Sequence, residues 1–366
     1  MSSEPSLYVG VMSGTSIDGA DVILADLSEL IPRVIGFHSE NFPPALRSEL
    51  LALNGAGGNE IERSHLAANE LAKVVASAVA KLLSRSATSS GAVIALGCHG
   101  QTVRHRPDLG FTVQLNNPAL LAELTRIDVV ADFRSRDIAA GGQGAPLVPA
   151  FHDGVFRSAT ETRVVVNIGG IANLTILAPD KPAWGFDCGP GNCLMDAWIT
   201  RNCNKSFDDD GRWAADGAVI APLLERLCRE PYFHAVPPKS TGRDLFHLPW
   251  LEEKLDSSER AVDVQATLLA LTAHTIIDHV ARYAPTAQRV VVCGGGARNG
   301  ALMRALRERF SCGAVDTTDE HGVPSGQVEA LAFAWLAKCA IERRALDLTA
   351  TTGAAHATIY GAIYPA

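Results

Sequence analysis

Short apolar runs rich in branched residues alternate with longer amphipathic stretches along the chain, and the alternation continues to its end. Apolar runs bounded by Gly, Pro or Asn read as strands, whereas apolar positions three and four residues apart read as helices. On that basis residues 7–12, 20–26 and 34–38 open the chain as a small antiparallel set. A long helix follows over 60–83, where Leu66, Leu71, Val74, Val75 and Val79 recur at helical spacing. Residues 93–98, 111–115 and 127–131 read as strands, and 118–126 as a helix with Pro118 in its first turn. Near 132–144 the pattern gives way to charge and glycine. A domain boundary is expected there, with residues 132–136 as a hinge.

A second block then repeats the grammar of the first. Strand 163–167 runs into a Gly-rich turn at 168–172 and returns as strand 173–177. Helices are expected at 193–203, 218–228, 263–283, 300–309 and 328–342, with a strand at 289–293. The stripes Val264, Leu268, Leu271 and Leu331, Trp335 read as core. Segments 205–216 and 229–244 are polar and punctuated by Pro and Gly, as surface or cleft-lining loops are. The likeness between the blocks is one of architecture and points to a duplicated domain. The expected division is 1–133 together with about 350–366 as an N-terminal phosphate-clamp domain, and 134–349 as a second domain.

Composition narrows the function classes. The chain has 366 residues, 47% hydrophobic and 20% charged, with a formal net charge of −8, which suits a globular protein of two domains. The acidic pI of about 5.8 and the lack of a Lys/Arg-dense run argue against nucleic-acid and membrane-surface partners. The first residues are polar and lack a signal-peptide profile, and no apolar run approaches a membrane span. Eight scattered cysteines without a CxxC pair read as reduced thiols of a cytoplasmic protein.

Candidate chemistry concentrates in four Gly-rich segments. The first, VGVMSGTSIDGAD over residues 9–21, joins an apolar strand to a turn dense in Gly, Ser and Thr. Such a turn directs backbone N–H groups at anionic oxygens, and Asp18 suits a hydrated divalent cation. No GxxxxGK[ST] follows, so this is not a P-loop, and an ordinary Gly-rich hairpin is the alternative reading. The second is the turn around Asn167, Gly169, Gly170 and Asn173. In the third, FDCGPGN over 186–192, Asp187 is expected at a strand end facing a cleft, as a general base. A helix cap is its alternative role, but Asn192 lies better placed for the cap. The fourth, strand 290–293 running into Gly294, Gly295 and Gly296, leaves room for a flat nucleoside ring.

Two phosphate-type hairpins in successive blocks, followed by a late glycine turn, resemble the superfamily of sugar kinases, actin and heat-shock chaperones. The segments CHGQTVRH at 98–105, QLN at 114–116 and ADFRSRDIAAGGQGAPL at 131–147 narrow the resemblance. With GVMSGTSIDGADV and CGGGARN, they are similar to the anhydro-N-acetylmuramic acid kinase family from about residue 7 to the C-terminus. The resemblance implies an α/β protein of two related ribonuclease-H-like domains, the actin-like ATPase fold, closing on a nucleotide cleft. It implies hydrolytic opening of 1,6-anhydro-N-acetylmuramic acid and ATP-dependent phosphorylation of O6, in cell-wall recycling in the cytoplasm. Gly14, Thr15, Ser16, Ile17, Asp18, Gly19, Ala20 and Asp21 match the family's ATP loop, with Asp18 for Mg²⁺. Asp187 matches its base, and Glu329 a second acidic residue near the sugar. For Glu329 a favourable charge at a helix N-terminus is an equal alternative.

Arg134 and Arg136 suit the substrate's lactyl carboxylate, with surface ion pairs to Asp132 or Asp137 as the alternative. His99 and Gln101 are expected as hydrogen bonders to the sugar. A metal site at His99 and His105 is disfavoured, because six-residue spacing does not place both on one helical face. The family usually carries Thr where this chain has Cys188, which puts a ligand contact by that side chain in question. Another amino sugar as substrate, or a nucleotide-driven switch without one, remains open, as does a homodimer. The run at 359–364 is expected to return to the first domain.

Overall fold

The computed structural model describes residues 4–14, 17–242, 244–256 and 258–366. The chain divides into two compact units, Met1–Val155 with Gln327–Ala366, and Phe156–Gly326. In the first unit the strands are β1 (Leu7–Met12), β2 (Gly19–Asp26), β3 (Arg33–Asn41), β4 (Val93–Cys98), β5 (Gln101–Arg106), β6 (Phe111–Leu115) and β7 (Val129–Ala131). β1, β2 and β3 form an antiparallel meander, and β4 and then β7 add in parallel on the other side of β1. β5 and β6 pair as a separate hairpin. The C-terminal strand Ala362–Tyr364 closes the sheet edge, with Ala362 opposite Ala131, so the chain end does return to the first unit.

The second unit builds the same sheet again. Its strands β8 (Thr162–Ile168), β9 (Ile171–Leu177), β10 (Trp184–Pro190), β11 (Ala287–Cys293) and β12 (Ala314–Thr317) lie in the order β10-β9-β8-β11-β12. The first three are antiparallel neighbours, and β11 and β12 run parallel to β8. Both units therefore have the ribonuclease-H-like order 3-2-1-4-5, and the chain has the actin-like ATPase fold. The central strand β8 reads as a continuous branched run because Val164, Val165 and Val166 are all buried, as in a strand covered on both faces.

The division differs from the expected one at both crossings. The helix Val328–Ile341 belongs to the first unit because it packs directly on β1 and β4. A Cβ at Gly10 would overlap the Ala330 carbonyl oxygen, and one at Gly97 the Phe333 carbonyl oxygen, so helix and sheet approach to backbone contact. Residues 132–144 are also interior to this unit and are not its boundary. Asp137 is fully buried there and accepts hydrogen bonds from Tyr360 Oη (2.9 Å), Thr352 Oγ1 (2.8 Å) and the Gly144 amide (2.7 Å). Charge and glycine in this stretch mark a satisfied buried carboxylate, which composition alone does not distinguish from a linker.

Candidate active site

The first glycine loop hangs between β1 and β2. Ile17 anchors it: the side chain is buried in the core, the backbone takes φ 54°, and its N–H donates to Gly14 O at 3.2 Å. Gln101, at the start of β5, holds the other side. Its Nε2 donates to Gly14 O at 3.4 Å and its Oε1 accepts from the Ser13 hydroxyl. Buried in this way, Gln101 organises the loop. Ala20 is a core residue, and at Gly19 a side chain would overlap Glu40 O, so both shape β2 rather than offer side chains to a ligand. Asp21 stands on β2 opposite Met12 and Ser39. Asp18 is exposed and pairs with Arg47 at 3.2 Å. Thr15 and Ser16 lie outside the described residues.

A second cluster in the same unit joins three expected residues. His99 is buried with Nδ1 2.8 Å from Gly100 O, while its Nε2 accepts from Arg134 Nε at 3.0 Å. Both nitrogens are thus engaged, with Nδ1 carrying the proton. Burial, then the Arg134 charge, holds the imidazole neutral by pushing its pKa well below the usual value. The ring packs on Phe333 at 4.8 Å, one turn along the helix that begins at Val328 and carries Glu329. Arg134 also donates to Gly144 O at 2.7 Å and feels the charge of Glu329, which offsets part of the desolvation that lowers its pKa to about 10. Arg136 does not join this cluster. It is exposed and donates to Thr358 Oγ1 at 3.2 Å, tying down the C-terminal segment. His105 is exposed too, with Nδ1 at 2.9 Å from Thr112 Oγ1.

In the second unit, sheet register aligns motifs that the sequence keeps apart. Asn173 on β9 is the partner of Asn167 on β8 and of Asp187 on β10. Residues opposite one another point to the same face. Asn167, Asn173 and Asp187 therefore form one polar row, which crosses about 10 Å of sheet at ordinary strand spacing. Their neighbours Val166, Ile168, Leu174, Phe186 and Cys188 are buried. Cys188 donates to Ala172 O at 3.2 Å inside the core, so the departure from the family's Thr falls away from the polar row.

The glycine turns pack beside that row. The amides of Gly191, Asn192 and Cys193 donate to the Gly169 and Gly170 carbonyls at 2.8–3.1 Å. Asn192 precedes the helix Cys193–Cys203, but its side chain does not cap it; Nδ2 donates to Ile168 O (3.1 Å) and Gly169 O (3.0 Å). Gly294 takes φ 80°, and a Cβ there would overlap Asn167 Oδ1. At Gly296 a Cβ would strike the Ile168 side chain, whereas Gly295 is exposed. Two of the three glycines are thus required by the neighbouring turn, a reason independent of any nucleoside.

Asp187 lies within β10 rather than at its end, beside a bulge between Asp187 and Gly189. The segment after the short helix Pro231–His234 wraps it. Thr241 N–H donates to Asp187 Oδ2 at 3.1 Å, the Asp187 amide donates to Lys239 O at 3.3 Å, and Tyr232 Oη donates to Asp187 O at 2.7 Å. Burial pushes the carboxyl pKa up to about 6, against the opposing Thr241 amide. A carboxylate so poised is ionised at neutral pH yet basic enough to take a proton. Tyr232, Lys239 and Thr241 were legible only as a polar, Pro-rich connection.

The family model for anhydro-N-acetylmuramic acid kinase matches residues 6–366. The chain belongs to the anhydro-N-acetylmuramic acid kinase family. A relative of that name from Cupriavidus pinatubonensis is 52% identical over 374 residues, covering 100% of both chains. One from Bordetella pertussis is 54% identical over 365 residues, covering 98% of this chain and 96% of its own. One from Pseudomonas putida is 50% identical over 363 residues, covering 99% and 100%. Membership of this family makes the chain an enzyme, a kinase. Among the described residues no helix is long and apolar enough to cross a membrane, and no group of three or more His, Cys, Asp or Glu is arranged to hold a metal.

Proposed function

We propose that the chain opens the 1,6-anhydro bridge of anhydro-N-acetylmuramic acid with water and transfers the γ-phosphoryl group of ATP to O6. The product is N-acetylmuramic acid 6-phosphate, made in the cytoplasm during cell-wall recycling. The observation that carries this reading is Asp187, a half-buried carboxylate with one oxygen fixed by Thr241, on the polar row with Asn167 and Asn173. Asp187 takes a proton from water as the water oxygen bonds to the anomeric carbon and the bond from that carbon to O6 breaks. O6 then attacks the γ-phosphorus, the bond to the β-phosphate oxygen breaks, and ADP leaves; the proton passes from Asp187 to solvent.

Gly14, Ile17 and Asp18, with Thr15 and Ser16, form the proposed phosphate loop of the first unit, and Asn167, Gly169, Gly170 and Asn173 that of the second. Gly295 offers the open backbone for the nucleoside. Asp18 fits a nucleotide-borne Mg²⁺ as a single exposed carboxylate, since Mg²⁺ keeps most of its waters and takes one or two protein carboxylates beside phosphate oxygens. When bound it neutralises charge on the phosphates. Arg134 Nη2, which donates to no described residue, is the proposed donor to the lactyl carboxylate. Glu329 lies near enough to balance its charge. A homodimer is the assembly proposed, tested by sedimentation.

ATP turnover with and without the anhydro-sugar separates this reading from a nucleotide-driven switch. ADP release is expected only when the sugar is present; a rate unchanged by the sugar would rule out the coupled reaction proposed for this sugar.

A further inference from the structure

The wrap around Asp187 is itself held at one point. Lys239 Nζ donates to Tyr232 O at 2.9 Å and to His279 Nε2 at 2.8 Å, and lies 4.7 Å above the Tyr232 ring and 5.8 Å from that of Phe186. His279, in the helix Ala261–Tyr283, places Nδ1 2.6 Å from Thr275 O. That contact puts the imidazole proton on Nδ1 and leaves Nε2 as an acceptor for the ammonium. One lysine side chain thus joins the Pro231–His234 helix, the long helix behind the sheet, and the segment whose backbone touches Asp187 twice.

We propose that Lys239 is a positioning residue for Asp187, fixing the 237–241 segment so that the Thr241 amide holds Oδ2 and the segment keeps water from the carboxylate. Among the described residues Oδ1 accepts no hydrogen bond. The inference rests on the reading of Asp187 as the base. Asp187's raised pKa follows from burial, with the Thr241 amide opposing it. Among the described residues, the titratable and charged groups around the pair are Cys188 on β10, Tyr232 on the short helix, and Asp278, His279 and Arg282 on the long one. Cys188 and Tyr232 have pKa values pushed far above neutrality, and burial keeps His279 neutral with a pKa of about 4. Lys239 itself, lowered to about 8 by burial, is still protonated at neutral pH.

The test is the carboxyl titration of Asp187, followed by carbon NMR on protein labelled at aspartate and assigned with Asp187→Asn. In Lys239→Met the Asp187 midpoint is expected to fall by about one pH unit, as water reaches the carboxylate. With the sugar, kcat is expected to fall about tenfold to a hundredfold with KM for ATP unchanged, and Lys239→Arg to restore most of it. An Asp187 midpoint that stays in place or rises in Lys239→Met overturns the proposal. Should that variant not fold, His279→Leu removes the acceptor of the same ammonium, and the same two outcomes apply. Because the titration needs no turnover, it decides the role of Lys239 even if Asp187→Asn proves active and Asp187 is not the base.

Discussion

Asp187→Asn is expected to lower kcat by about three orders of magnitude while leaving nucleotide affinity within about twofold of the parent. General-base catalysis contributes about a hundredfold to ten-thousandfold, and Asn cannot accept a proton at any working pH. The substitution is otherwise mild. An amide oxygen still accepts from Thr241, the backbone bonds to Lys239 and Tyr232 remain, and no volume changes. Single-turnover phosphorylation and calorimetric titration with a nonhydrolysable nucleotide measure the two quantities separately. Retained turnover would remove Asp187 from its role, and loss of both together would mean that the row it shares with Asn167 and Asn173 had collapsed. In the parent enzyme kcat/KM is expected to rise with pH through about 6, because the proposed base works only when ionised.

Gly97→Ala is expected to destabilise the protein by about 3 kcal/mol, a large share of the roughly 5–15 kcal/mol that holds a domain folded. The new methyl has no pocket. It would meet the backbone carbonyl of Phe333, which cannot rotate aside, so the helix Val328–Ile341 must lift from β4. Lifting that helix moves Phe333 from the His99 ring and Glu329 from the field of Arg134. A lower urea midpoint should therefore appear with a raised KM for the sugar. Gly10→Ala meets the Ala330 carbonyl on the same helix and should behave alike. A Gly97→Ala protein with the parent's midpoint would show that the helix is not seated on the sheet as described.

These two sites differ in how far the sequence revealed them. Asp187, Asn167 and Asn173 stand out singly, because polar residues beside glycine turns interrupt otherwise apolar strands. Their alignment is a property of register, which a one-residue slip would destroy and which no local pattern encodes. Gly10 and Gly97 look like loop glycines or weak strand positions until the helix more than two hundred residues away is in place. The limits of the first unit were missed for a related reason: the contacts that draw 328–341 and 134–155 into it are long-range, whereas charge and glycine near 132–144 are local. Arg136 and Gln101 also carry structural bonds that the sequence pattern does not show, one to the C-terminal segment and the other to the opening loop. What was most legible was the repeated strand, glycine turn and returning strand, because backbone chemistry at a tight turn restricts residue type most strongly.

The coupling of ring opening to phosphorylation is tested most directly by running the reaction with anhydro-N-acetylmuramic acid, ATP and Mg²⁺ in isotopically heavy water and fragmenting the product in a mass spectrometer. Water activated by Asp187 places the heavy oxygen at the anomeric carbon of N-acetylmuramic acid 6-phosphate and none in its phosphate group. Heavy oxygen found only in phosphate, or a phosphorylated sugar whose anhydro bridge is still closed, would contradict it.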